Sequence, residues 1–126
     1  MKREKRILVV DDEPDNTSIF YIALEDNGFA VDAFTDPLLA LSAFKAGTYD
    51  LIILDIKMPT MNGFELYEKM KTIDNKLKVC FLTAFGEGYH EEFRIRFPTS
   101  SSSLDVNFVK KPIRIDDLVK KVNEII

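Results

Sequence analysis

The chain has 126 residues, the size of one domain, and can bury a core without disulfide or metal staples. Its composition, 46% hydrophobic and 30% charged, is that of a folded soluble protein, and a net charge of −4 argues against a nucleic-acid-binding surface. No apolar run approaches the length that crosses a bilayer, which argues against membrane insertion. The basic start, Met1 to Arg6, is followed only by the short apolar run Ile7 to Val10 and then by acids. That is too short for a signal peptide, so a cytoplasmic location is expected. The single His90 excludes a multi-histidine metal site, and Cys80, alone in an apolar run, reads as a buried structural thiol.

In chain order, the first apolar run, Ile7 to Val10, predicts a strand. A helix follows from about Pro14 to Asn27, with proline in its first turn and Gly28 as its stop. Ala30 to Phe34 is a second strand, and Asp32 within it suits the edge of a sheet. Asp36 can cap a second helix that opens at Pro37 and ends before Gly47. Leu51 to Leu54 is a third strand, and Asn62 or Gly63 opens a helix through about Lys71. Val79 to Leu82 is a fourth strand. A helix from Glu87 to Phe97 is weakened by Gly88 and ended by Pro98, and Thr99 to Ser103 reads as a solvated loop. Val106 to Val109 is a fifth strand. Ile115, Leu118, Val119, Val122, Ile125 and Ile126 then recur at helical spacing and give the last helix one apolar face. Regular alternation of strand and helix predicts an α/β fold with a parallel sheet. The first, third and fourth runs are continuously apolar, as strands covered on both faces should be.

In an open parallel sheet, ligands bind beyond the carboxyl ends of the strands, where the strand order reverses. The residues that follow the apolar runs there are Asp11, Asp12 and Glu13, then Asp55, then Thr83, then Lys110 and Lys111. With strand order 2-1-3-4-5, the acids after the first and third strands converge. Carboxylates pressed together repel and call for a cation or a shared proton. Oxygen ligands without histidine or usable cysteine select a hard ion, Mg²⁺ or Mn²⁺. A hydroxyl and an ammonium beside that ion complete a site suited to a phosphoryl group. Each part alone has an ordinary structural reading: a capping turn, a strand-end acid, a solvated lysine. Their occurrence in order, each at the end of its strand, favours the chemical one.

The residues Ile7-Leu-Val-Val-Asp-Asp-Glu-Pro14, Asp50-Leu-Ile-Ile-Leu-Asp-Ile-Lys-Met-Pro59, Met61-Asn-Gly63, Leu82-Thr-Ala84 and Phe108-Val-Lys-Lys-Pro112 resemble the receiver domain of two-component response regulators. The resemblance covers essentially the whole chain. It implies a flavodoxin-like (βα)5 three-layer sandwich around a five-stranded parallel sheet of order 2-1-3-4-5, forming one receiver domain over residues 1–126. Asp55 matches the phosphoacceptor. Asp11 and Asp12 match the metal-binding acids, with Asp12 expected to touch the ion and Asp11 to act partly through water. The backbone carbonyl of Lys57 matches a further ligand to Mg²⁺ or Mn²⁺. Thr83 matches the switch hydroxyl, Lys111 the lysine that pairs with the phosphoryl group, and Phe108 the switch aromatic. The Lys111–Pro112 peptide bond is expected to be cis on the same ground. The implied donor is a sensor histidine kinase or a phosphotransfer protein, and the implied readout is altered affinity for a downstream protein. Such a domain catalyses its own phosphorylation and dephosphorylation but is no conventional enzyme. A homodimer through the face from the fourth strand to the fifth helix is also among the implications. The chain reads either as a stand-alone receiver or as part of a longer regulator.

Two features depart from the family pattern. Thr83 and Lys111 are further apart than usual by about half a dozen residues, with the extra length between Arg94 and Ser103, and Asp105-Val-Asn107 replaces the familiar Gly-Ala pair. Lys57 and Phe85 occupy the variable positions flanking the phosphorylation site and are expected to slow dephosphorylation. Three other readings compete. A haloacid dehalogenase-type phosphatase wants a second Asp where Lys57 stands. A flavodoxin-type module would not place Asp11-Asp12-Glu13 against a flavin phosphate. A receiver-like interaction module that is never phosphorylated would not need the complete set of site residues.

Overall fold

The computed structural model describes residues 4–84, 91, 95 and 106–126. Five strands form one parallel sheet: β1 (Arg6–Val10), β2 (Ala30–Phe34), β3 (Leu51–Asp55), β4 (Val79–Thr83) and β5 (Val106–Lys110), in the order β2-β1-β3-β4-β5. The order, the edge position of β2 and the placing of all five strands agree with the sequence reading. Four of the helices between and after them are described: α1 (Pro14–Asp26), α2 (Pro37–Ala43), α3 (Gly63–Ile73) and α4 (Ile115–Ile125). The candidate helix from Glu87 to Phe97, one of two readings open for that segment, lies outside the described residues except for Glu91 and Ile95, which are helical and exposed.

The apolar runs feed two cores, because alternate side chains of a strand point to opposite faces. Leu8, Val10, Ile52, Leu54, Val79 and Phe81 pack on one face with Phe64, Leu66, Tyr67 and Met70 of α3. Ile7, Val9, Leu51, Ile53, Cys80 and Leu82 pack on the other with Phe20 and Leu24 of α1 and Leu118 and Val122 of α4. Each of β3 and β4 is buried along its whole length, as continuously apolar strands require. Cys80 is fully buried and unpaired.

Local signals set most helix starts. The Asp36 carboxylate accepts the Leu38 N–H at 2.8 Å, and Pro37 opens α2. At α3, Asn62 and Glu65 form a reciprocal capping box, with bonds of 2.9 and 3.0 Å. The α2 helix ends at Ala43, a turn short of the stop expected at Gly47. Phe44 leaves the helix with extended backbone and packs its ring into the core, stacked on Tyr49 at 5.8 Å. At the third helix the chain continues to Ile73, slightly past the expected Lys71.

Candidate functional site

The carboxyl ends of β1, β3, β4 and β5 stand side by side. The register Val10↔Leu54 puts Asp11 and Asp55 at adjacent strand ends, and Thr83 pairs with Lys110. The Lys111 N–H donates to the Thr83 carbonyl at 2.7 Å, which fixes where the chain leaves β5. The Lys111–Pro112 bond is cis, as expected. Lys110 points to solvent and Lys111 into the site, so the structure distinguishes two lysines that spacing alone does not.

Asp11, Asp55 and Thr83 are buried, and Asp12 is half-buried. The Lys111 ammonium reaches Asp11 Oδ2 at 2.9 Å and Asp55 Oδ2 at 3.3 Å. Asp11 Oδ1 accepts the Glu13 N–H at 3.0 Å, and Oδ2 also accepts the Asn16 side-chain amide at 3.3 Å. A cleft of about 150 Å³ opens over these groups, lined by Glu13, Asp55, Ile56, Lys57, Thr83, Ala84 and Lys111. Phe108, half-buried, packs on Phe81 with ring centroids 5.4 Å apart, and Phe81 in turn meets Phe64 edge-on at 4.9 Å. Phe85, expected at the rim, lies outside the described residues.

The third helix comes unusually close. The Gly63 N–H donates to the Ile56 carbonyl at 2.8 Å, and a Cβ at position 63 would stand 2.5 Å from the Asp55 carbonyl oxygen. The glycine is therefore required by proximity to the backbone of the acid itself.

Burial pushes the Asp55 carboxyl up, and the neighbouring Asp11 charge adds to it; Lys111 opposes both, and the result is a pKa of about 7. For Lys111, burial disfavours the ammonium, but the hydrogen bonds and charges of Asp11 and Asp55 outweigh it and hold the pKa above the usual lysine value. One lysine thus serves two buried acids. Asp11, Asp12 and Asp55 each offer a carboxylate oxygen, and these lie within 4.8 Å of one another. Oxygens on opposite sides of one Mg²⁺ stand about 4 Å apart, so the trio is spaced for a single hard cation. The donor set is all oxygen and carries excess negative charge, which fits Mg²⁺ or Mn²⁺.

Sequence reasoning missed Asn16, whose only signal is a position in the first turn of the helix that follows the acids. It singled out every other side chain described above as bonding or lining the acid cluster, except for Ile56 and Ala84.

A parallel 2-1-3-4-5 sheet with paired acids, a strand-end acid, a hydroxyl and a lysine at its carboxyl edge defines a receiver-type phosphorylation fold. The family model described as response regulator receiver domain matches residues 7–123, and the chain belongs to that family. It is 30% identical over 122 residues to the response regulator receiver protein CpdR of Brucella abortus, covering 97% of each chain. It is 32% identical over 117 residues to the transcriptional regulatory protein TcrA of Mycobacterium tuberculosis, covering 93% of this chain but 44% of that protein. Among solved structures, it resembles TrrA of Thermotoga maritima in complex with Mg²⁺-BeF at 32% identity and TM-score 0.74, covering 97% and 99% of the two chains. A CheY-like receiver domain protein of Methanospirillum hungatei aligns with TM-score 0.82 at 26% identity, covering 97% and 93%. The protein is thus a receiver domain of two-component signalling, not a conventional enzyme. Among the described residues, no helix is long and apolar enough to cross a membrane.

Proposed function

We propose that Asp55 is the phosphoacceptor of this receiver domain and that the chain forms one such domain over residues 1–126. The carrying observation is a buried Asp55 carboxylate at the end of β3, 3.3 Å from the Lys111 ammonium and clustered with Asp11 and Asp12. The donor is a phosphohistidine of a sensor histidine kinase or phosphotransfer protein, or a small phosphodonor. An Asp55 oxygen attacks phosphorus, an O–P bond forms, and the P–N bond of the donor breaks with its electron pair leaving on the imidazole. Lys111 and the Thr83 hydroxyl offset charge on the phosphoryl oxygens. Asp12, Asp55 and the Lys57 carbonyl would hold a Mg²⁺ or Mn²⁺ ion, with Asp11 behind them. Such an ion supplies charge neutralisation between nucleophile and phosphoryl oxygens. Later hydrolysis of the acyl phosphate by the domain itself resets the site. Movement of Thr83 toward the phosphoryl group, followed by Phe108, alters affinity for a downstream protein. A cytoplasmic location goes with this reading.

Incubation with Mg²⁺ and acetyl phosphate should give one phosphoryl adduct by intact-mass spectrometry, absent in Asp55→Asn. An adduct that persists in the variant refutes the assignment. The complete set of polar side chains around Asp55 speaks against a module that is never phosphorylated. Lys57 lines the cleft beside Asp55, within reach of pairing with the acid or its phosphoryl group, and the bulk of Phe85 is the element proposed to restrict attacking water. Lys57→Ala and Phe85→Ala should each shorten the adduct's lifetime several-fold, and unchanged lifetimes would exclude that role.

A further inference from the structure

Asp11 is fully buried, yet its two oxygens meet three donors: the Glu13 N–H, the Lys111 ammonium and the Asn16 amide. Two of these share Oδ2. Lys111 is also divided, standing 2.9 Å from Asp11 and 3.3 Å from Asp55. The first turn of α1 does not depend on the Asn16 side chain, because the Glu13 carbonyl accepts the Asn16 and Thr17 N–H groups at 3.1 and 3.2 Å. Asparagine is also a mediocre helix former. The amide stands where the acid site meets a second, apolar cleft that Asn16 lines with Ile19, Phe20 and Ile113.

A buried carboxylate oxygen deprived of one donor leans harder on those that remain, because water cannot replace the lost bond. For Asp11 Oδ2 the remaining donor is Lys111. We propose that Asn16 is a positioning residue for phosphoryl transfer: its amide satisfies Asp11 in part, so that Lys111 stays shared with Asp55 instead of being captured by Asp11. The idea rests on Asp55 being the phosphoacceptor. Asn16 does not touch the reacting atoms. It acts through Asp11 on the ammonium that faces the oxygen where the phosphoryl group arrives.

Three variants separate donation from packing. Asn16→Leu keeps the volume and removes the donor, Asn16→Asp substitutes an acceptor, and Asn16→Gln keeps an amide. With acetyl phosphate and saturating Mg²⁺, adduct formation should slow about fivefold in the leucine variant, part of the value of one hydrogen bond to a charged group, since Asn16 acts on the reaction only through Asp11 and Lys111. The aspartate variant should be slower still, and the glutamine variant within about twofold of wild type. In metal-free buffer without phosphodonor, the Lys111 Cε and Nζ resonances should move in the leucine and aspartate variants and hold in the glutamine variant. Wild-type rates with unmoved Lys111 resonances in the first two overturn the proposal. So does a glutamine variant as slow as leucine, which would make packing the cause. If the wild type forms no adduct, the phosphoacceptor assignment fails, while the Lys111 resonances still decide whether Asn16 sets the position of that lysine.

Discussion

Gly63→Ala is expected to lower stability by about 2–3 kcal/mol, the cost of overpacking at a backbone contact, and to slow phosphorylation of Asp55 as well. The added methyl would meet the Asp55 carbonyl oxygen at 2.5 Å and the Ile56 Cα at 3.0 Å, both main-chain atoms that cannot rotate away. The first turn of α3 must therefore retreat, breaking the 2.8 Å bond from Gly63 to Ile56 and shifting the strand end that carries the acid. Denaturant midpoints and adduct-formation rates measure the two effects. Gly47→Ala makes the control. Gly47 has φ +76 and open space around its missing side chain, so its substitution strains the backbone by about 1 kcal/mol and leaves the site untouched. Equal losses of phosphorylation in both variants would show that Gly63 acts only through general stability.

In the presence of a chelator at pH 7.5 to 8, Asp55→Asn should unfold at a higher temperature than wild type. The Asp55 pKa rises from 3.8 to about 7 on folding, because burial and the Asp11 charge outweigh Lys111. A carboxyl with a raised folded pKa binds its proton more tightly in the native state. The associated stability is complete below pH 3.8, fades as pH rises and is gone above about pH 7. Asparagine carries no charge, so the difference between variant and wild type should be small near pH 4 and grow to about 2 kcal/mol above pH 7, after discounting the full shift for solvent screening at this partly open site. For a chain of this size that is a rise in Tm of roughly 5–10 °C. Mg²⁺ should narrow the gap by stabilising the wild type. A Tm difference that does not change between pH 4 and pH 8 would contradict the electrostatic origin.

Much of the architecture is legible in the sequence because β1, β3 and β4 are covered on both faces and so read as unbroken apolar runs. Asp32 marks β2 as an edge just as clearly: its carboxylate is half-exposed and accepts the Tyr49 hydroxyl at 2.7 Å. The end of α2 is harder to read. Ala40, Leu41 and Phe44 keep helical spacing, and only the burial of Phe44 against Tyr49 explains why the chain turns out of the helix there. At the site, residue types and strand-end positions carry the acids, the hydroxyl and the lysine. The choice between Lys110 and Lys111 depends on the direction in which β5 ends, and resemblance supplied it before the geometry did. Asn16 is illegible because an asparagine in a helix's first turn is usually solvated, and its bond to Asp11 exists only once the strand end and helix are packed.

The unbroken apolar character of β1 and β3 leaves a problem of alignment. A strand with one apolar and one polar face has its register fixed by that contrast, since a slip of one residue turns it inside out. Strands apolar on both faces lack this guard: slid by two residues, Ile7 to Val10 would meet Leu51 to Leu54 with aliphatic side chains still filling both cores. The stop comes from the ends. Beyond Val10 and Leu54 stand Asp11 and Asp55, whose burial is compensated in this register because Lys111 reaches both. The acid cluster thus acts as the index mark of the central sheet, and the same charges proposed to receive a phosphoryl group also count the rungs between the two strands that carry them.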